Sequence, residues 1–161
     1  MLNSQNIFSN KKILVYGLGK SGLSTFKFLR KKNKVIKYDD KRKTYYKEIK
    51  KTEFDYIILS PGIDINNCSL SNFLKKNYRK IYTDLDIFYS HYKKNNKITI
   101  TGTNGKSTTA KILYEVLKAQ KTDVRLVGNF GNPVLLEKNI TNKTVFVIEA
   151  SSYQLEYSKL F

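Results

Sequence analysis

Short apolar runs alternate with longer mixed stretches along the whole chain. Lys12–Tyr16, Lys34–Tyr38, Tyr56–Leu59 and Lys80–Tyr82 are brief and rich in β-branched or aromatic residues, which predicts buried strands. Between them, Ser21–Lys32 carries Leu23, Phe26 and Leu29 on roughly one face, and Ser71–Lys76 is a shorter helical stretch. In Asp84–Tyr92, residues Leu85, Phe88 and Tyr89 cluster at i, i+3 and i+4, the spacing of a helix that buries one side. Strands alternating with helices imply a mostly parallel sheet covered on both faces, hence an α/β protein.

Lys93-Lys94-Asn95-Asn96-Lys97 holds no apolar residue and precedes a second strand–loop–helix series. It divides the chain into candidate domains 1–93 and 97–161. In the second, Lys97–Thr101 is a predicted strand, and Lys106–Gln120 a helix with Ile112, Leu113, Val116 and Leu117 turned inward. Val124–Val127 and Thr144–Ile148 are further strands, and Asn132-Pro133 is expected to start a short helix ending near Glu137. Three strands are few for a covered parallel sheet, so the second domain is expected to be incomplete.

Thr101-Gly102-Thr103-Asn104-Gly105-Lys106-Ser107-Thr108 joins a predicted strand to a predicted helix. A glycine turn there directs backbone N–H groups and the positive end of the helix dipole at an anion, and Lys106 adds a full charge. Ser107 or Thr108 offers a hydroxyl to the magnesium that accompanies a nucleoside triphosphate. The usual P-loop spacing wants a glycine at position 100, where this chain has Ile100.

Gly17-Leu18-Gly19-Lys20-Ser21-Gly22 makes a second such junction, after the first strand, with the G-x-G-x-x-G spacing. The glycines permit a tight turn, close approach by a phosphate and close helix packing. Asp39 and Asp40 follow the next strand, about where a ribose-binding acid belongs. The pattern recognises a diphosphate, not a nicotinamide, so a dinucleotide, a nucleotide-sugar or a tightly packed empty turn all satisfy it. Ser60-Pro61-Gly62-Ile63 reads equally as a plain turn or as a ligand loop at the carboxyl end of a parallel strand. Glu149 leaves the last strand, either facing solvent or placed to hold magnesium beside the phosphate loop. Gly128-Asn129-Phe130-Gly131-Asn132-Pro133 is a turn by composition, with Asn129 as a candidate ligand contact. His91, the single histidine, is expected at a surface or between domains, and Cys68 has no partner for metal or nucleophilic chemistry.

Composition narrows the class further. The 161 residues include 40% hydrophobic residues, enough for a core. No apolar run approaches the ~18–20 residues needed to cross a bilayer. Asn3, Ser4, Gln5 and Asn6 interrupt any signal-peptide stretch, and one cysteine allows no internal disulfide. A cytoplasmic protein without membrane insertion is the expectation. The net charge of +17 is spread over clusters such as Arg30-Lys31-Lys32, Lys41-Arg42-Lys43 and Lys93-Lys94 at the ends of predicted elements. With no nucleic-acid-binding module among them, dedicated nucleic-acid binding is not expected.

Together these motifs resemble the Mur ligase family, most closely its D-glutamate-adding branch. The resemblance runs over essentially the whole chain and rests on Gly17–Ser24, Ser60–Ile63, Thr101–Thr108, Gly128–Gly131 and Glu149–Glu156. It implies a Rossmann-like N-terminal domain with a parallel sheet that binds UDP, followed by a P-loop α/β central domain, here incomplete, that binds ATP. By this resemblance Gly17–Gly22, Asp39, Asp40, Ser60, Pro61 and Gly62 hold the uridine diphosphate end of the substrate. Gly102, Thr103, Asn104, Gly105, Lys106, Ser107 and Thr108 bind ATP, with Lys106 acting in catalysis. Ser107 and Glu149 ligate magnesium, while Asn129, Ser151 and Gln154 face the muramoyl-peptide. The implied reaction is ATP-dependent amide formation between UDP-N-acetylmuramoyl-L-alanine and D-glutamate, through an acyl phosphate, by a monomer. The family's later histidine, modified lysine and amino-acid domain are absent from these 161 residues, so the chain alone is not expected to form the amide. A non-catalytic nucleotide-binding module, or another Mur or folylpolyglutamate synthase-like ligase, is the alternative.

Overall fold

A computed structural model describes residues 6–41 and 46–161. Arg42 and Lys43 of the basic cluster, and Asn3, Ser4 and Gln5, lie outside the described residues. The first sheet is built from Lys12–Tyr16 (β1), Lys34–Tyr38 (β2), Tyr56–Leu59 (β3) and Ile81–Thr83 (β4), all parallel, in the order β2-β1-β3-β4. Helices Lys20–Leu29 (α1), Tyr46–Lys51 (α2) and Ser71–Lys76 (α3) make the crossovers, and Asp84–His91 (α4) follows the last strand. The second sheet contains Lys97–Ile100 (β5), Val124–Gly128 (β6) and Val145–Glu149 (β7) in the order β5-β7-β6, again parallel. Lys106–Ala119 (α5) crosses from β5 to β6, and Ser152–Tyr157 (α6) follows β7.

The runs of β1, β3 and β7 are apolar enough to be buried on both faces, whereas β2 and β5, at the sheet edges, keep Lys34, Lys37 and Ile98 exposed. In β1, Ile13, Leu14, Val15 and Tyr16 are fully buried, with Leu14 and Tyr16 facing one core and Ile13 and Val15 the other. The second of these cores is continuous between the two sheets. It gathers Ile13, Val15 and Ile58 with α4 residues Leu85, Ile87 and Phe88 and with Phe146 and Ile148 of β7. Phe88 meets Phe146 edge-to-face at 4.8 Å. The expected linker takes part in this packing. Asn95 is buried, and its Nδ2 donates to the carbonyls of Thr141 at 2.7 Å and Thr144 at 2.9 Å.

Three expectations need correction. In α5 the inward stripe is Ala110, Leu113, Tyr114 and Leu117, spaced i, i+3, i+4 and i+7 against Val124 and Val147. Ile112 and Val116 lie off that stripe, 60% and 50% exposed. The segment from Asn132 to Glu137 forms turns instead of a helix. Gly128 N donates to Asn132 O and Asn132 N to Leu126 O, which ties the segment to β6 and removes the backbone groups a helix start would use. Lys80 belongs to a single 3₁₀ turn, so β4 begins at Ile81.

The pattern also missed α2 and α6, each of six residues. For α6 a local signal existed: Ser151-x-x-Gln154 is a capping box, and both of its hydrogen bonds form.

Candidate functional site

In the first sheet, β1 and β3 lie side by side while the chain leaves β1 toward β2, so a crevice opens where the connections diverge. The two loops predicted for ligand binding meet there. Gly17 has φ +90°, and its N donates to Tyr38 O. Ser60 Oγ donates to Gly17 O at 2.7 Å, so this hydroxyl fastens one loop to the other. A Cβ on Gly22 would stand 1.7 Å from Gly17 O, whereas one on Gly19 or Gly62 would meet nothing within 4 Å. The helix is thus packed hard onto the turn at Gly22 while Gly19 faces open space, the arrangement a diphosphate needs.

The cleft has a volume of about 550 Å³. Leu18, Lys20, Ser21, Pro61 and Gly62 line it, as do Asp39 and Asp40. Both carboxylates already accept hydrogen bonds from the chain. Asp39 Oδ2 takes Leu18 N at 2.7 Å and its Oδ1 takes Lys41 N, which braces the glycine loop. Asp40 Oδ1 takes the Tyr16 hydroxyl at 2.6 Å and Ser69 Oγ at 2.5 Å. Burial, reinforced by Asp40, raises the Tyr16 pKa, so its phenol stays a neutral donor. Sequence pattern did not single out Tyr16 or Ser69, because a network joining the ends of β1 and β2 to the start of α3 has no local spacing.

Asn129, Gly131 and Pro133 form another wall of the same cleft. Asn129 N donates to Glu149 O at 2.9 Å, which connects this wall to the end of β7 in the second sheet.

In the second sheet β7 inserts between β5 and β6, so the end of β7 stands directly beside the loop leaving β5. Ile100 is in register with Glu149, and Gly128 with Glu149 on the other side. Gly128 has φ +110°, and a Cβ there would be 2.1 Å from Glu149 O. After Ile100 the loop turns at Gly102 (φ +144°) and Gly105 (φ +75°), and α5 begins at Lys106 with no side-chain cap. Its first N–H groups have no side-chain acceptor from the N-cap residue. Thr103, Asn104 and Thr108 are exposed around this helix start. Ser107 Oγ donates to Glu149 Oε2 at 2.7 Å, and Glu149 is otherwise buried. A hydroxyl and a carboxylate oxygen at an open helix N-terminus are hard donors that suit magnesium, which retains waters and takes its remaining ligands from phosphates. Lys106 Nζ folds back onto Gly102 O at 2.7 Å and Thr103 O at 3.3 Å.

Ser151 and Gln154 are placed differently from each other. Ser151 caps α6 at the site's border, accepting from Gln154 N at 3.2 Å. Gln154 is buried, its Oε1 accepting from Ser151 N and its Nε2 donating to Asp84 Oδ1 at 3.0 Å. Its side chain locks α6 to α4. Asp84 is wholly buried, and desolvation pushes its carboxyl pKa up. Two residues further along α4, Asp86 accepts from Thr83 N, Thr83 Oγ1, Ser158 Oγ, Lys159 N and Leu160 N.

Among the described residues no helix is long and apolar enough to cross a membrane. Residues 100–160 match the Mur ligase middle domain. The chain is 35% identical to a UDP-N-acetylmuramoylalanine–D-glutamate ligase of Rickettsia bellii, across 96% of this chain and 37% of that protein. It is 36% identical to the protein of the same name from Caldicellulosiruptor bescii, across 94% and 37%, and 38% identical to that of the Wolbachia of Brugia malayi, across 92% and 33%. The chain thus spans about a third of the length of these curated relatives.

Proposed function

The chain belongs to the Mur ligase family, and on that premise we propose that it supplies the nucleotide-binding part of an ATP-dependent ligase joining D-glutamate to UDP-N-acetylmuramoyl-L-alanine. The observation that carries the reading is the hydrogen bond between Ser107 and Glu149 at the uncapped start of α5. It gathers a hydroxyl, a carboxylate and uncapped N–H groups where a triphosphate and its metal would meet.

In this reading the N–H groups of Gly102–Thr108 hold the ATP phosphates, and Lys106 leaves its loop carbonyls to neutralise them. Ser107 and Glu149 would hold magnesium, which draws charge off the transferring phosphoryl group. The muramoyl carboxylate oxygen attacks the γ-phosphorus and ADP leaves with the electron pair of the broken P–O bond. The amine of D-glutamate then attacks the acyl carbon, phosphate departs and the nitrogen loses a proton. Two anions must approach for the first step, so the chain's task there is charge neutralisation and alignment.

The cleft at Gly17–Gly22 takes the UDP diphosphate, with Asp39 holding the loop that receives it and Asp40 tying the end of β1 to Ser69 beside the same cleft. Ser60, Pro61 and Gly62 form its opposite rim, and Asn129 and Ser151 stand toward the muramoyl-peptide. Gln154 acts on that substrate by fixing α6. Residues 1–93 and 97–161 act as the UDP-binding and ATP-binding domains, and a cytoplasmic monomer fits this role.

Calorimetry tests the assignment. The chain is expected to bind ATP with magnesium and UDP-N-acetylmuramoyl-L-alanine at separate saturable sites. Binding of NAD in place of the UDP-sugar would overturn it.

A further inference from the structure

At the opposite end of the first sheet from the glycine loops, a groove of about 850 Å³ opens where residues 6–10, the end of α4 and the loop 140–142 meet. Lys32, Lys93 and Lys94 line it together with His91. A smaller hollow of about 240 Å³ adjoins it, sharing Asn6, Ser9, Lys32 and His91, with Phe28, Leu29 and Ile87 in its wall. No carboxylate lines either hollow among the described residues. The proposed nucleotide chemistry uses none of these groups.

We propose that these joined hollows bind a phosphorylated small molecule carrying an apolar or aromatic group. The lysines of the larger groove meet the phosphate, and the half-exposed ring of Phe28 receives the apolar part. Cations lining a concave surface without opposing carboxylates concentrate anions there. The side chains of Asn6 and Ser90 are linked at 3.3 Å, and Asn10 N donates to Lys32 O at 3.0 Å, so the groove's edges are held to each other. His91 lies at the seam of the two hollows. Its ring is edge-on to Phe28 at 5.1 Å and to Tyr92 at 4.8 Å.

His91 also reports on the site. Burial, with Lys32 adding to it, lowers its pKa. Lys32 acts on it directly, Lys31, Lys93 and Lys94 line the same hollows, and Tyr92 is the titratable neighbour in ring contact, while residues 6–10 and 140–142 contribute no charge. An anion among these lysines offsets that field and raises the histidine's pKa.

The chain has one histidine, so its ring protons can be followed by NMR without assignment ambiguity. Titration with phenyl phosphate should shift them saturably and raise the His91 pKa, and inorganic phosphate should do so more weakly. Lys32→Glu with Lys93→Glu should weaken the response at least tenfold while the circular dichroism spectrum is retained. Lys106→Ala, at the other end of the molecule, should leave the response intact. Failure of phenyl phosphate to move the resonance, an equal response to inorganic phosphate, or an equal response in the charge-reversed variant would each overturn the proposal.

Discussion

Ser107 Oγ donates to Glu149 Oε2 at 2.7 Å, although the two residues are 42 positions apart. The pairing follows from strand order. Because β7 lies between β5 and β6, its last residue arrives beside the turn that leaves β5, and the register sets Glu149 against Ile100. Glu149→Gln keeps the side chain's volume and an oxygen for Ser107, but removes the charge. Magnesium-dependent ATP affinity should fall by about tenfold or more, equivalent to ~1.4 kcal/mol, toward the magnesium-free value. Titration calorimetry with and without magnesium measures this, and an unchanged magnesium dependence rejects the metal role.

Gly128 illustrates how tightly that junction is built. A methyl there would sit 2.1 Å from Glu149 O, in a backbone conformation with φ +110°. Gly128→Ala combines overpacking with backbone strain and should cost about 3 kcal/mol. A urea midpoint close to that of the parent would show that the loop relaxes.

Asp86 gathers five donors, three of them from Ser158, Lys159 and Leu160. Replacement by Ala leaves the buried Thr83 N and Oγ1 without this acceptor and releases the half-buried and exposed donors of residues 158–160, at a cost of about 2–3 kcal/mol. The amides of Lys159 and Leu160 should exchange with solvent much faster in this variant. Unaltered exchange would mean that other contacts hold the segment.

Asp84 gives stability a pH dependence. Burial raises its folded pKa above the unfolded value of about 3.9, so the native state keeps a proton that the unfolded chain has already released. The contribution is whole below the unfolded value and is lost as pH rises through the folded one. Asp84→Asn retains an oxygen for Gln154 Nε2 and removes this loss. Parent and variant should have similar urea midpoints near pH 4, with the variant more stable at pH 7. The reverse order at pH 7 would refute the burial argument.

Helix α5 offers a contrast within one element. Ile112 is exposed and Ala110 fully buried, so Ile112→Gln should change stability by less than about 0.5 kcal/mol, whereas Ala110→Leu should cost roughly 1–3 kcal/mol by overpacking. Equal effects in thermal unfolding would contradict the assigned stripe.

The strands and both glycine loops were legible because their signals are local. A run such as Lys12–Tyr16 followed by Gly17-x-Gly19-x-x-Gly22 dictates strand, turn and helix start within ten or so residues. The orientation of α5 was less so. Ile112, Leu113, Val116 and Leu117 are all apolar, and only the sheet beneath decides which share the buried side. The helix expected after Pro133 failed because Asn132 hydrogen-bonds to β6.

The sequence by itself determined an α/β chain with two phosphate-type turns, since turn chemistry and apolar runs act over neighbouring residues. Tertiary structure alone decided that Glu149 meets Ser107, that Asp39 and Asp40 brace loops, and that Gln154 is spent on Asp84. Those partners are distant along the chain, and strand order with core packing brings them within hydrogen-bond range. No spacing rule encodes that distance.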